Sequence, residues 1–247
     1  MSRLPLALLD DMPEDWFPPV SEALHHPNGL LAVGGDLSAR RLMAAYTRGI
    51  FPWFEEGQPL LWWSPDPRAV LFPDRLRVTR SLRKRMRNGG FTVTLDRDFA
   101  AVINGCAAPR QGSFGTWITP DMVKAYGELH DRGIAHSVEV WRNRGLVGGL
   151  YGVALGRIFF GESMFSNCSD ASKIALVALA RQLDDWGYQL VDCQIRSQHL
   201  ATLGARCIPR QEFIARLQRG LLETSRPGHW NFDADFNPLS VRDGQER

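Results

Sequence analysis

Three polar side chains interrupt otherwise apolar runs: Glu162 in "RIFFGESMFS", and Asp192 and Gln194 in "LVDCQI". Ile158, Phe159, Phe160, Met164 and Phe165 suit a pleated, buried surface. An ionised carboxylate buried there without a partner is too costly to be idle. Either the strand end is wet or Glu162 holds something. The side-chain period of two groups Glu162 with Ile158, Phe160, Met164 and Ser166. It sets Asp192 and Gln194 on one face, opposite Val191, Cys193 and Ile195. Two such strands together line an apolar slot beside a cation-accepting end. The plainer alternative is that each polar residue is a satisfied hydrogen-bonding group at a strand end.

A second concentration of chemistry lies at residues 75 to 87, where seven Arg and Lys occur with no acid between them. On a helix, Arg80, Arg83, Lys84 and Arg87 share a face at i, i+3, i+4 and i+7, where like charges repel. Such a face is either simply solvated or a contact surface for the phosphates of RNA or DNA. Trp53 in "GIFPWF" and Trp117 in "GTWITP" sit in loops, as packing groups or as stacking surfaces for a base.

Other chemistries find less support. "GESMF" begins like a nucleophile elbow but carries Phe165 where the final glycine belongs. "AVGGDLS" lacks the spacing of a phosphate-binding loop, and Gly34 and Gly35 read as a tight turn. His199 in "SQHL" opens a short helix and is a capping or packing group before it is a proton shuttle. The 4 Cys show no paired spacing and the 6 His no ligand pair, so no metal is expected and the thiols read as reduced, in a cytoplasm. A net charge of +2 implies no polyanionic partner beyond a local patch. No apolar run approaches membrane length, and the opening "MSRLPLALLDDM" is no signal peptide.

The elements that position these residues follow from periodicity and punctuation. The first stretch is turn-rich and aromatic, with one helix starting near Asp36 or Ser38, and "SPDP" at 64 to 67 marks a boundary. Beyond it come a basic helix ended by Gly89-Gly90, strand "FTVTLD", helix "RDFAAVINGCA", and a helix capped by Thr119 with Pro120 at its first position. Three strands joined by tight turns at "RNRG" and "ALGR" form an antiparallel meander. A long helix capped by Ser169 or Asp170, strand "YQLVDCQI" and two final helices follow, and from Trp230 onward a polar tail is expected to fray. The fold class is α+β, close to α/β: a small irregular N-terminal domain (1–67), a catalytic domain with a mixed sheet flanked by helices (68–232), and a polar tail (233–247). A monomer is the default, there being no coiled-coil heptad.

The strings "GIFPWF", "LWWSPDPRAVL", "GTWIT", "HSVEVW", "GGLYGVALGR", "FFGESMFS", "DASK" and "DCQ", in this order, closely resemble the bacterial leucyl/phenylalanyl-tRNA-protein transferase family over roughly residues 14 to 217. The resemblance implies a C-terminal domain similar to acetyl-CoA-dependent N-acyltransferases, with aminoacyl-tRNA in place of acyl-CoA and no cofactor or metal. It implies transfer of Leu or Phe, and less readily Met, to the N-terminal α-amino group of proteins beginning with Arg or Lys, which marks them for N-degron proteolysis. It puts the family's functional tryptophans on Trp53 and Trp117, its strand acid on Glu162, and its acid-amide pair on Asp192 and Gln194. The side-chain pocket falls on Met164, Ser166, Leu176 and Val191. Leu150 and Leu179 stand where relatives carry bulkier or more flexible residues. The basic cluster of Arg80, Arg83, Lys84 and Arg87 matches the family's tRNA-binding helix in kind.

On this reading Asp192 and Gln194 orient the incoming amine, with Asp192 taking its proton directly or through Gln194 or water, while Glu162 hydrogen-bonds Trp117. Sequence leaves open which carboxylate meets the acceptor's Arg or Lys side chain. Two rivals remain: an acetyl-CoA-dependent N-acetyltransferase, which would show a glycine-rich pyrophosphate turn that "SDASKIAL" lacks, and a non-catalytic RNA-binding protein.

Overall fold

The computed structural model describes residues 6–109 and 118–240. Trp117 therefore lies outside the described residues. The N-terminal part builds a small sheet from β1 (Ala7–Leu8), β2 (Leu30–Val33), β3 (Phe51–Pro52) and β4 (Leu61–Trp63), in the order β1-β2-β4-β3. Between β2 and β3 runs α1 (Ala39–Tyr46), capped by Ser38, whose side chain accepts from the Arg41 N–H. Leu42, Ala45 and Tyr46 on its inner face are fully buried.

After the proline-containing stretch at 64 to 67 the chain enters a second sheet with β5 (Arg68–Leu71). There follow α2 (Arg80–Asn88), β6 (Phe91–Leu95), α3 (Phe99–Ala107), α4 (Pro120–Asp131), β7 (Ala135–Arg142), β8 (Gly145–Leu155) and β9 (Ile158–Ser166). Then come α5 (Ala171–Asp185), β10 (Leu190–Gln194), α6 (Gln198–Ala201), β11 (Arg206–Ile208) and α7 (Arg210–Leu221). The seven strands lie in the order β11-β5-β10-β9-β8-β7-β6. All neighbours are antiparallel except β9 and β10, which α5 connects in parallel. The α+β fold with a mixed sheet flanked by helices is the class expected. Thr119 caps α4 by accepting from the Met122 N–H, as the sequence pattern required. Asp170, by contrast, sits at the start of α5 in the left-handed region and makes no side-chain cap.

Each sheet face carries its own apolar core. One face packs on α1, α3 and α4 through Tyr46, Phe99, Tyr126, Tyr151 and Phe160. The other packs on α2 and α5 through Leu82, Leu150, Leu176, Leu179 and Val191. A Cβ at Gly148 would come within 2.4 Å of the Ala171 Cβ, so only glycine lets α5 start this close to β8.

The expectation that the chain frays from Trp230 onward is not met for residues 230 to 240. Trp230 is buried and its ring stacks on His136 at 3.6 Å. Asp233 accepts from Gln182 Nε2 at 2.9 Å and Trp186 Nε1 at 2.8 Å. The polar residues of this stretch are partners for polar groups of the folded body, which composition alone does not reveal. Asp96 is the fastening point: its carboxylate accepts from the Trp230 N–H at 2.6 Å and the Ser137 N–H at 2.8 Å, and lies 2.7 Å from His136 Nδ1. Asp96→Ala would leave these groups buried and unpaired. A stability loss of about 3 kcal/mol is expected, read as a lowered urea midpoint.

Candidate active site

Backbone pairing between β9 and β10 runs through Leu190↔Ile158, Val191↔Phe159 and Asp192↔Phe160 and ends there. Two residues further on, the strands are joined by side chains instead. Gln194 Nε2 donates to Glu162 Oε1 at 2.9 Å. Both residues occupy irregular backbone. Glu162 has no partner in the β8 register, which passes from Tyr151↔Ser163 to Gly152↔Gly161, so it is the extra residue of a β-bulge. Gln194 lies beyond a bulge at Cys193 and has φ 62°, in the left-handed region.

The bulge corrects the reading of one continuous strand face. Phe160 belongs to the core against α1, α3 and α4, and Glu162 meets Tyr126 on that same side. Beyond the bulge Met164 packs against the opposite core, with Leu150, Leu176, Leu179 and Val191. The Ser166 hydroxyl donates to Ser172 Oγ of α5 at 2.9 Å and accepts from the Ser172 N–H at 2.8 Å. Glu162 and the apolar set thus lie on opposite faces of the sheet, adjacent where β9 and β10 cease to pair. Asp192 and Gln194 do keep to one side, with Val191 and Cys193 packed on the other.

Asp192 is fully buried and paired with Arg68, also fully buried. Arg68 Nε donates to Oδ1 at 2.8 Å and Nη2 to Oδ2 at 2.6 Å, a bidentate geometry. The guanidinium lies between the Phe51 and Phe213 rings, 4.7 and 4.6 Å from their centroids. Asp192 Oδ1 also accepts from the Gln194 N–H at 2.9 Å, which fixes the left-handed turn that aims the amide at Glu162. Sequence reasoning assigned Arg68 no role. Its only signal was a cation at the start of an apolar strand, "RAVL".

Glu162 is closed in from the other side by Tyr126, whose hydroxyl donates to Oε2 at 2.9 Å. Tyr126 is in turn hydrogen-bonded to the Tyr46 hydroxyl. Burial pushes the Glu162 carboxyl up to about 7, against the lowering pull of the Tyr46 and Tyr126 hydroxyls. Burial, and then the Glu162 charge, hold both tyrosines well above their usual range, so they remain protonated donors. The pairing of Glu162 with Trp117 falls outside the described residues.

The remaining expectations fall at the periphery. Trp53 is 39% exposed, its ring 5.6 Å from that of Trp63. On α2, Leu82 and Met86 anchor the inner face while Arg80, Lys84 and Arg87 stand exposed. Arg83 is half-buried and its Nε donates to the Val78 carbonyl at 3.1 Å, so it is tied to the body of the protein. The start of α6 is capped by Ser197 and not by His199. A cavity of about 340 Å³ lies between β6 and the docked tail, lined by Asp96, Arg97, His229 and Trp230 among others, and none of the candidate residues borders it.

Among the described residues, Asp96, His130 and His229 bring ligand-type atoms within 4.8 Å of one another. The donors already on Asp96 and the 2.9 Å contact of His130 Nδ1 with the Ala135 carbonyl read as a structural hydrogen-bonded cluster. No described helix is long and apolar enough to cross a membrane.

Comparison with known proteins shows the family of the chain. The family description "Leucyl/phenylalanyl-tRNA protein transferase" matches residues 70–218, and that of its N-terminal domain matches residues 35–66. A leucyl/phenylalanyl-tRNA-protein transferase of Azotobacter vinelandii is 65% identical over 205 residues, covering 83% of this chain and 91% of that one. One from Nitrosospira multiformis is 60% identical over 217 residues, covering 88% and 94%. A GCN5-related N-acetyltransferase from Kribbella flavida superposes with a TM-score of 0.31 at 12% identity, over 68% of this chain and 59% of that one, too distant a likeness to carry weight. With both family segments matched in order and such identity along most of its length, the chain belongs to the leucyl/phenylalanyl-tRNA protein transferases, a family of transferase enzymes.

Proposed function

We propose that the protein moves Leu or Phe, and less readily Met, from charged tRNA to the N-terminal α-amino group of proteins beginning with Arg or Lys, in the cytoplasm and as a monomer. The product carries an N-terminus that marks it for N-degron proteolysis. The observation that carries this reading is the Gln194–Glu162 bridge where β9 and β10 part, with Leu150, Met164, Leu176 and Val191 beside it on the other face. The apolar set would take the aminoacyl side chain. Its discrimination between similar side chains rests on methylene-scale differences, worth about 1–3 kcal/mol each.

An aminoacyl ester is already activated, so no covalent enzyme intermediate is required. The acceptor amine, with a pKa of about 7.7–8.0, is partly neutral near pH 7. It attacks the ester carbonyl carbon. A C–N bond forms, the C–O bond to the terminal ribose breaks with its electron pair going to the ribose oxygen, and one proton passes in net from the amine to that oxygen. Positioning supplies much of the acceleration.

The engagement of Asp192 with Arg68 favours the route through Gln194 over a direct one. Commitment of the Gln194 NH2 to Glu162 leaves its carbonyl oxygen to accept an amine N–H. The hydrogen-bond partners of Glu162 are neutral, so it is the carboxylate left for the acceptor's cationic group. Trp53 and Trp117 would flank the terminal adenosine.

A filter assay with labelled Leu-tRNA and a protein bearing N-terminal Arg, without added CoA or ATP, tests this reading. Label transferred to the protein is the expected result. A requirement for acetyl-CoA would point to an acetyltransferase, and tRNA retention with no transfer to an RNA-binding protein.

A further inference from the structure

Gln194 can serve an incoming amine only with its carbonyl oxygen outward, and that orientation depends on Glu162. An acceptor-only carboxylate draws the amide NH2 inward. A protonated Glu162 would offer an O–H, and the amide could turn to accept it, presenting NH2 to the amine and so the wrong polarity.

The state of Glu162 is controlled from the far side of the sheet core. Tyr126 on α4 has one hydroxyl proton and gives it to Glu162 Oε2, so its oxygen must accept from Tyr46, on α1. The polarity of the chain Tyr46, Tyr126, Glu162, Gln194 is then fixed throughout. Tyr46 comes from the small-sheet part of the chain, so that part contributes a group to the site. The other titratable groups acting here are Tyr151 of β8, Asp192 of β10 and Arg68 of β5. Asp192 raises the proton affinity of Glu162 and Arg68 lowers it. The Tyr151 hydroxyl has no hydrogen-bond partner among the described residues, though its ring packs edge-on against Tyr126.

We propose that Tyr126, its hydroxyl oriented by Tyr46, is the positioning residue that keeps Glu162 acceptor-only and thereby keeps the Gln194 carbonyl oxygen turned to the acceptor amine. This rests on the aminoacyl-transfer reading above. Removing a hydroxyl that donates to a carboxylate raises its proton affinity, so the acid limb of activity must move to higher pH.

The test is the pH profile of kcat/KM for transfer from Leu-tRNA to one N-terminal-Arg acceptor, in the wild type, Tyr126→Phe, Tyr46→Phe and Tyr151→Phe. The acceptor amine also titrates in this range, but it is common to all four proteins, so differences between them report Glu162. Tyr126→Phe should shift the limb upward by about one pH unit, seen as a roughly tenfold loss at about pH 6.5 that largely recovers near pH 8.5. Tyr46→Phe should shift it in the same direction, since the Tyr46 hydroxyl also lowers the proton affinity of Glu162, and Tyr151→Phe should leave it in place. A uniform loss in Tyr126→Phe and Tyr46→Phe with an unmoved limb, or an equal shift in Tyr151→Phe, would overturn the inference. A wild type that transfers nothing at any pH would instead overturn the functional reading itself.

Discussion

Arg68→Met is expected to destabilise the protein by about 3–5 kcal/mol and to abolish aminoacyl transfer, because it strands the fully buried Asp192 carboxylate without its cation. Urea unfolding reads the first effect and the transfer assay the second. The double variant Arg68→Met/Asp192→Leu separates them. Replacing a buried ion pair by apolar residues is often close to neutral for stability, so the double variant should regain much of the loss. It should nonetheless stay inactive. Asp192 Oδ1 accepts from the Gln194 N–H, and without it the left-handed residue loses the bond that aims its amide at Glu162. Recovery of both stability and full turnover would show that the pair serves the fold alone. The same geometry makes Asp192→Ala by itself a poor probe of chemistry, since an unpaired buried guanidinium would cloud any loss of rate.

Reversing Arg80, Lys84 and Arg87 to Glu should weaken tRNA binding by about two orders of magnitude at moderate salt while leaving the folded state intact. These three side chains are exposed on α2, whose Leu82 and Met86 hold it to the sheet. Arg83 is left out, because its bond to the Val78 carbonyl gives it a structural role as well. If the three side chains neutralise phosphates, the slope of log affinity against log salt should fall by about one for each phosphate no longer neutralised. A weakening of binding that ignored salt concentration would count against a phosphate-binding role. Binding that did not change at all would mean that tRNA lies elsewhere.

Both outcomes depend on features that were unequally legible in the sequence. Local signals marked the helices and the meander: Thr119 followed by Pro120, Gly89-Gly90 after the basic helix, and the tight turns at "RNRG" and "ALGR". Each acts over a few residues, through an orphan N–H or a required dihedral, so a single chain displays it. The alternation in "LVDCQI" placed Asp192 and Gln194 together, and the structure keeps them on one side.

The period of two failed at Glu162, where one extra residue in the ladder reverses every later side chain, so Met164 and Ser166 went to the other face. A bulge is decided by how two strands fit, and neither strand announces it. Trp230 and the tail were misjudged for a related reason: polar residues read as solvated until their partners, Asp96 and Gln182, are brought beside them.

What the sequence by itself determined was the family, the helices and turns, and the types of the candidate side chains. Only the tertiary structure decided their states. Arg68 stands 124 residues from Asp192 in the chain, and Tyr46 stands 80 from Tyr126. Whether a carboxylate is a locked ion-pair partner, as Asp192 is, or a buried acid near neutrality, as Glu162 is, depends on which charges and donors lie within a few ångströms of it. Those distances are set by folding, and no local pattern encodes them.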